Sequence, residues 1–76
     1  MGPKSYLVRR RFFDGEWRMD DIEIFGSFQK AGEAASNAAA ELDAIYGDEH
    51  FWTVDLFDNP KSESGSYFQL FHGRLS

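Results

Sequence analysis

The sequence predicts an α+β fold with the element order β-β-α-β-β, in which one helix packs on one face of a four-stranded antiparallel sheet. Three observations carry this prediction. Two apolar stretches flank the dipeptide Asp14-Gly15, a long helical pattern follows Gly26-Ser27, and two further apolar stretches come after the helix. The length of 76 residues predicts a single domain, 1–76, with a small core.

The first two strands are predicted at Tyr6–Phe13 and Trp17–Phe25, because both stretches are rich in β-branched and aromatic residues. Between them, Asp14 and Gly15 tolerate positive φ angles. This dipeptide between two apolar runs is a strong signal for a tight hairpin turn.

The apolar alternation of the second strand changes phase in its middle. Trp17 and Met19 share one parity, whereas Ile22 and Ile24 share the other. A slip of one residue turns every following side chain to the opposite sheet face. We therefore expect a β-bulge near Asp20-Asp21.

A helix is predicted from Phe28 to Tyr46, with Ser27 as its N-cap and Gly47 as its C-cap. Gly32 inside this helix costs up to ~1 kcal/mol relative to alanine, and close approach of a neighbouring side chain would explain it. The apolar residues recur at steps of three and four: Phe28, Ala31, Ala34, Ala35, Ala38, Ala39, Leu42, Ile45 and Tyr46.

The small side chains at the centre of this stripe allow close packing on a sheet. We expect Ala35 and Ala38 to face the sheet, with Leu42 and Ile45 buried beside Trp52 or its neighbours.

The third and fourth strands are predicted at His50–Phe57 and Tyr67–His72. The polar segment 58–66 between them contains Pro and Gly and is predicted to be a loop.

Aromatic side chains make up 17% of the chain, and several predicted strands are apolar on both parities. Because one helix covers only one sheet face, we expect a second apolar face that a partner protein covers. The residues assigned to this partner-binding face are Phe51, Phe57, Tyr67 and Phe71. The alternative is that the strand ends, the long loop and the C-terminal tail fold over it.

Acidic residues crowd ten positions of the first hairpin, 14–23, where only Arg18 opposes them: Asp14, Glu16, Asp20, Asp21 and Glu23. The whole chain has 13 acidic and 8 basic residues, giving a net charge of −5. Two interpretations stay open. The charge keeps an aromatic-rich protein soluble, or it forms an acidic partner-binding face that meets a basic surface, such as the nucleic-acid-binding groove of another protein.

The run Arg9-Arg10-Arg11 offers a nucleic-acid-binding alternative, in which Arg9 and Arg11 act together with exposed sheet aromatics. The net charge of −5 argues against it, since an acidic protein repels a polyanion. Arg10 also points to the opposite sheet face. We expect the run to pair with acids across the hairpin, most simply Asp20, Asp21 and Glu23.

The sequence presents no catalytic, cofactor-binding or metal-binding motif, so we expect a protein that is not an enzyme. Cys is absent, which excludes disulfides and thiol chemistry and favours a reducing cytoplasm. Asp48, Glu49 and His50 are adjacent, and strand neighbours point alternately to opposite faces, so they cannot converge on one metal ion. We also expect neither a signal peptide nor a membrane span.

The chain resembles small phage-encoded inhibitors of the anti-CRISPR and host-takeover type in its size, acidity, lack of Cys and arrangement of two hairpins around one helix. The joint from Ile24 to Phe28, leading into Ala31–Ala35, is similar to the strand-to-helix joint of many small phage and bacterial domains. The resemblance implies a non-catalytic, stoichiometric inhibitor that blocks a defence or transcription complex. The other functional hypotheses are a small nucleic-acid-binding domain and a structural homodimer whose sheets pack together.

Overall fold

The computed structural model describes residues 5–47, 49, 51–59 and 65–73. Four antiparallel strands form one open sheet in the order β2-β1-β3-β4, and a single helix packs on it, which confirms the α+β prediction. The elements are β1 (Tyr6–Phe13), β2 (Trp17–Phe25), α1 (Phe28–Tyr46), β3 (Trp52–Asp58) and β4 (Ser66–His72).

The bounds of β1, β2 and α1 agree with those predicted from the sequence. β3 begins at Trp52 and ends at Asp58, later than predicted, and His50 lies outside the described residues. β4 begins one residue early, at Ser66.

The caps of α1 also follow the prediction. The Ser27 side chain accepts a hydrogen bond from the backbone N–H of Lys30 at 3.4 Å, and Gly47 ends the helix with a φ of 65°. A Cβ built on Gly32 would meet no atom of the surrounding side chains or of another element within 4 Å, so the expected close approach of a neighbouring side chain is wrong.

The bulge predicted in β2 lies at Ile22. Val8 of β1 pairs with Glu23, and the next residue, Arg9, pairs with Asp21, so Ile22 is the extra residue. Because of this bulge, Ile24 lies on the same sheet face as the earlier apolar residues of β2.

A second bulge, at Leu70 of β4, was not predicted. Val54 pairs with Phe71 and Asp55 pairs with Gln69, which leaves Leu70 as the extra residue. Phe71 therefore turns towards the helix and packs against the core. The expectation that Phe71 shares the uncovered sheet face with Tyr67 is wrong for this reason.

The core lies between α1 and the two central strands. Ala35 and Ala38 face the sheet and Leu42 is buried near Trp52, as expected. Ile45, however, is 71% exposed, which contradicts the expectation that it is buried. The buried side chains of this core are Val8, Ala31, Ala35, Ala38, Ala39, Leu42, Trp52, Val54 and Leu56.

The exposure of Ile45 follows from the position of the helix. A helix is about 10 Å wide and covers roughly two strands spaced about 4.8 Å apart. In β2, every residue is exposed except Phe25, which is half-buried. A cleft of about 420 Å³ separates α1 from β2, and Ile45 lines the neighbouring cleft at the end of the helix.

Candidate protein-binding surface

The sheet face opposite α1, here called the open face, carries side chains from all four strands. Its members follow from the strand register, which pairs residues on the same face. They are Leu7, Arg9, Arg11 and Phe13 of β1, Trp17, Met19, Asp21 and Ile24 of β2, Thr53, Asp55 and Phe57 of β3, and Tyr67, Gln69 and His72 of β4.

Three aromatic rings form an exposed group at the hairpin end of this face. The ring centroid of Phe13 lies 5.6 Å from that of Trp17, with an edge-on geometry, and 6.1 Å from that of Phe51. A backbone hydrogen bond of 2.8 Å from the Phe13 N–H to the Phe51 carbonyl links Phe13 and Phe51. The exposed fractions are 36% for Phe13, 54% for Trp17 and 45% for Phe51. We call these three residues the aromatic cluster.

The centre of the open face is polar and is organised around Asp55. This carboxylate is fully buried, although no helix covers it. Arg11 donates a hydrogen bond from Nε to Asp55 Oδ2 at 2.8 Å, and the Thr53 hydroxyl lies 3.4 Å from the same oxygen. Arg11 also donates from Nη2 to the Tyr67 hydroxyl at 3.0 Å.

Arg9 extends this layer towards β2 and β4. Its Nε donates to Asp21 Oδ1 at 2.6 Å, and its guanidinium carbon lies 4.8 Å from the centre of the Phe57 ring. The Phe57 ring is in turn 4.9 Å from the Tyr67 ring. Long side chains of β1 therefore lie across the sheet and cover its centre. The exposed apolar side chains of the open face lie at its ends and along its β2 and β4 edges, where Met19 is 61% and Tyr67 49% exposed.

The pKa values in this layer reflect its contacts. Burial raises the pKa of the Tyr67 hydroxyl above its ordinary value, and the negative charge of Asp55 raises it further, against the opposing effect of Arg11. The hydrogen bond that Arg9 donates to Asp21 raises the pKa of Arg9. Both groups are therefore held in their protonated forms.

The arginine run pairs largely as expected from the sequence. Arg9 pairs with Asp21 at 2.6 Å, and Arg10 pairs with Asp20 at 3.5 Å. Glu23 forms no ion pair with any residue that the structure describes, so its expected pairing is wrong. Sequence reasoning also missed the pairing of Arg11 with Asp55.

The acidic residues of the first hairpin do not form one patch. Arg18 pairs with Asp14 and Glu16 beside the turn. Asp21 lies on the open face, whereas Asp20 and Glu23 pair with residues of β1 that face the helix. The pairing with arginines also leaves the hairpin less negative than its sequence suggests.

The aromatic residues assigned to the partner-binding face divide in a similar way. Phe51 is exposed beside the turn, and Tyr67 is 49% exposed at the β4 edge. Phe57 is half-buried next to Tyr67, at the end of β3 far from Phe51. Phe71 lies on the other face. The structure adds Phe13 and Trp17, which the sequence could have indicated, since they directly flank the turn.

Within the described residues, no three His, Cys, Asp or Glu side chains lie close enough together to hold a metal ion. Asp48 and His50, two members of the triplet considered above, fall outside those residues. The described part of the chain also contains no helix with the length and apolarity needed to cross a membrane.

In comparisons with protein-family models, curated proteins and solved structures, nothing matches this chain.

Proposed function

We propose that the protein is a non-catalytic binding module that acts by occupying the surface of a partner protein. The observation that carries the proposal is the aromatic cluster on the open face. Its three rings, Phe13, Trp17 and Phe51, are all more than a third exposed, and the Phe13 ring packs against both of the others. Aromatic side chains of this kind dominate the binding energy of protein interfaces, and an exposed apolar patch commonly marks such an interface.

The charge of the surroundings indicates the chemistry of the partner. Asp14 and Glu16 lie in the turn next to the aromatic cluster, and the chain has a net charge of −5. A basic surface complements this charge, and electrostatic steering would speed the encounter. The specific form of the proposal is a stoichiometric inhibitor of the phage type that blocks a basic, nucleic-acid-binding surface in the cytoplasm.

The contacts of the arginines argue against direct nucleic-acid binding. Arg9 is held by Asp21 and stacks on Phe57, and Arg11 is held by Asp55. A guanidinium that is already paired with a carboxylate gains little free energy by binding a phosphate, because its existing ion pair must first be broken.

Binding kinetics with a purified partner test the proposal. The partner would be identified by pull-down from a bacterial lysate and its basic surface confirmed by competition with a nucleic acid. Trp17→Ala should then raise the dissociation rate at least tenfold, because a buried anchor is lost. Phe28→Ala is the matched control, since Phe28 is 62% exposed but lies on the helix, away from the open face.

The electrostatic part is tested separately with Glu16→Lys and Glu33→Lys. Both replace an exposed acid by a base, so the change in net charge is identical. Only Glu16 lies beside the aromatic cluster, and only Glu16→Lys should slow association at low salt. Equal effects of Trp17→Ala and Phe28→Ala on dissociation would reject the open face as the binding surface.

A further inference from the structure

Carboxylates border the aromatic cluster. Glu16 directly precedes Trp17, and its side chain is 75% exposed. Asp14, in the same turn, has a side chain that is 39% exposed. Glu49, which is also exposed, lies two residues before Phe51 in the chain. The exposed rings therefore lie beside negative charge, which a cationic group of a partner complements.

Arg18 neutralises only part of this charge. Its side chain leaves β2 on the helix side, because Arg18 pairs with Phe12, whereas Trp17 lies on the open face. Arg18 contacts one oxygen of Asp14 and, at 3.4 Å, one oxygen of Glu16. A carboxylate has two oxygens and accepts several hydrogen bonds, and an exposed ion pair of this kind contributes little free energy. Glu16 can therefore pair with a second cation.

The open face already contains an arginine that is held by a ring and a carboxylate. Arg9 Nε donates a hydrogen bond of 2.6 Å to Asp21, and its guanidinium carbon lies 4.8 Å from the centre of the Phe57 ring. The face of an aromatic ring carries partial negative charge and attracts the cation, while the carboxylate forms an ion pair with it. An aromatic ring and a carboxylate together thus bind one guanidinium on this sheet face.

We propose that the partner group that packs on the aromatic cluster is an arginine side chain, whose guanidinium stacks on Trp17 and pairs with Glu16. This inference rests on the proposed function, because it names the group that the partner's basic surface contributes. Trp binds cations more strongly than Tyr or Phe does. Trp17 is also the most exposed of the three rings, at 54%.

Arginine fits this arrangement better than lysine. The planar guanidinium stacks on a ring while its N–H groups donate to a carboxylate, and it is less strongly hydrated than an ammonium group. Both side chains carry one positive charge, so simple attraction to the acidic turn does not distinguish them. A preference for arginine over lysine therefore reports stacking on Trp17.

The two tryptophans allow the contact to be measured by NMR without the partner. Trp17 is exposed and Trp52 is fully buried, so their indole N–H signals provide a reporter and an internal control. The probe is the peptide acetyl-Gly-Arg-Gly-Arg-Gly-amide. We expect a saturable shift of the Trp17 signal with a dissociation constant of about 1–10 mM and no shift of the Trp52 signal. The variant Trp17→Phe identifies which signal belongs to Trp17.

Matched peptides separate stacking from charge. Replacing both arginines by lysine keeps the charge and should weaken binding about two- to fivefold, since the stacking contact is reduced. Replacing them by citrulline keeps the shape, removes the charge and should abolish the shift. Equal affinity for the arginine and lysine peptides, or the absence of a saturable Trp17 shift, overturns the proposal.

Matched variants test the role of Glu16. Glu16→Gln should weaken binding of the arginine peptide about two- to fivefold, because it removes one ion pair. Glu33→Gln changes the net charge equally at an exposed position on the helix and should leave the affinity unchanged. Equal weakening by the two variants would contradict the pairing with Glu16.

A double-mutant cycle with the purified partner distinguishes a failure of this inference from a failure of the proposed function. Each arginine of the partner's basic surface is replaced by lysine and measured against the wild type and Trp17→Ala. One replacement should raise the dissociation rate of the wild-type complex but not that of Trp17→Ala. If Trp17→Ala speeds dissociation and no arginine is coupled to it, the binding surface stands and the arginine contact is wrong. An unchanged dissociation rate in Trp17→Ala rejects both.

Discussion

Arg11 and Asp55 form an ion pair with an Nε–Oδ2 distance of 2.8 Å on the sheet face that α1 leaves uncovered. The Asp55 side chain is fully buried, whereas a third of the Arg11 side chain remains exposed. A buried carboxylate is tolerated only when its charge is compensated. Arg11 therefore shields the centre of this sheet face from water, as α1 shields the opposite face.

Removing Arg11 should destabilise the protein strongly. Arg11→Met leaves the buried Asp55 charge without its partner, which costs about 3–5 kcal/mol. A domain of this size has a total stability of only about 4–11 kcal/mol, so urea denaturation should show a large shift of the midpoint.

Two further variants separate the ion pair from general effects. Arg18→Met removes an arginine that pairs with exposed acids and should cost at most about 1 kcal/mol. The double variant Arg11→Met/Asp55→Leu removes both charges and should recover much of the lost stability. Similar losses in Arg11→Met and Arg18→Met would contradict this account of Asp55.

The raised pKa of Tyr67 predicts a pH dependence at the alkaline end. The folded protein holds the Tyr67 proton more tightly than the unfolded chain does, because burial and Asp55 raise its pKa above 10.0. The resulting stabilisation is fully present below about pH 10 and is lost as the pH rises through the folded-state pKa. Denaturation midpoints should therefore fall more steeply in this range for the wild type than for Tyr67→Phe.

The ionisation itself can be followed by the ultraviolet absorbance of tyrosinate. Subtracting the titration curve of Tyr67→Phe from that of the wild type isolates the contribution of Tyr67. We expect the midpoint of this difference curve to lie above the ordinary value of 10.0. A midpoint at or below that value would be inconsistent with the contacts described.

The alanine stripe of α1 should not tolerate a larger side chain. Ala38 is 4% exposed and packs against the sheet, so Ala38→Leu should overpack the core and destabilise by about 1–3 kcal/mol. Ala40 is exposed on the same helix, and Ala40→Leu should change the stability by less than about 0.5 kcal/mol. Thermal unfolding followed by circular dichroism compares the two. Equal melting temperatures would show that the stripe does not face the sheet.

Local sequence patterns predicted most of the fold. The helix from Phe28 to Tyr46 has apolar residues at steps of three and four and a capping residue at each end. The bulge in β2 was predictable because the residues around Ile22 change parity. Signals of this kind are contained within one element and need no knowledge of its neighbours.

The features that were missed depend on how the elements meet. The bulge at Leu70 leaves no mark in the sequence, since β4 is apolar on both parities and a phase change is invisible there. Ile45 belongs to the apolar stripe but faces the cleft beside β2, which depends on where the helix lies across the sheet. Arg11 and Asp55 are 44 residues apart, and they meet because β1 and β3 are neighbours in the strand order.

Replacing Gly32 should stabilise the protein. Glycine within a helix costs about 0.5–1 kcal/mol relative to alanine because its unfolded backbone has more freedom to lose. A Cβ at this position has space, since no atom lies within 4 Å of it apart from its two chain neighbours and the helix's own backbone. Gly32→Ala should therefore raise the free energy of unfolding by about that amount in urea denaturation. A destabilised variant would indicate a packing constraint at this position.

Nucleic acids should bind weakly, despite the arginine run. Arg9 and Arg11 are engaged by Asp21 and Asp55, and the net charge of −5 repels a polyanion. We expect dissociation constants weaker than about 1 µM for single- and double-stranded oligonucleotides at physiological salt, with little dependence on salt. Asp21→Asn should strengthen binding modestly, because it weakens the ion pair that holds the Arg9 guanidinium. Glu33→Gln is the control, since it changes the net charge by the same amount but lies on the helix. Fluorescence anisotropy titrations at several salt concentrations make the comparison. Tighter wild-type binding with a steep salt dependence, lost in Arg9→Gln, would favour the nucleic-acid-binding alternative over the binding of a partner protein.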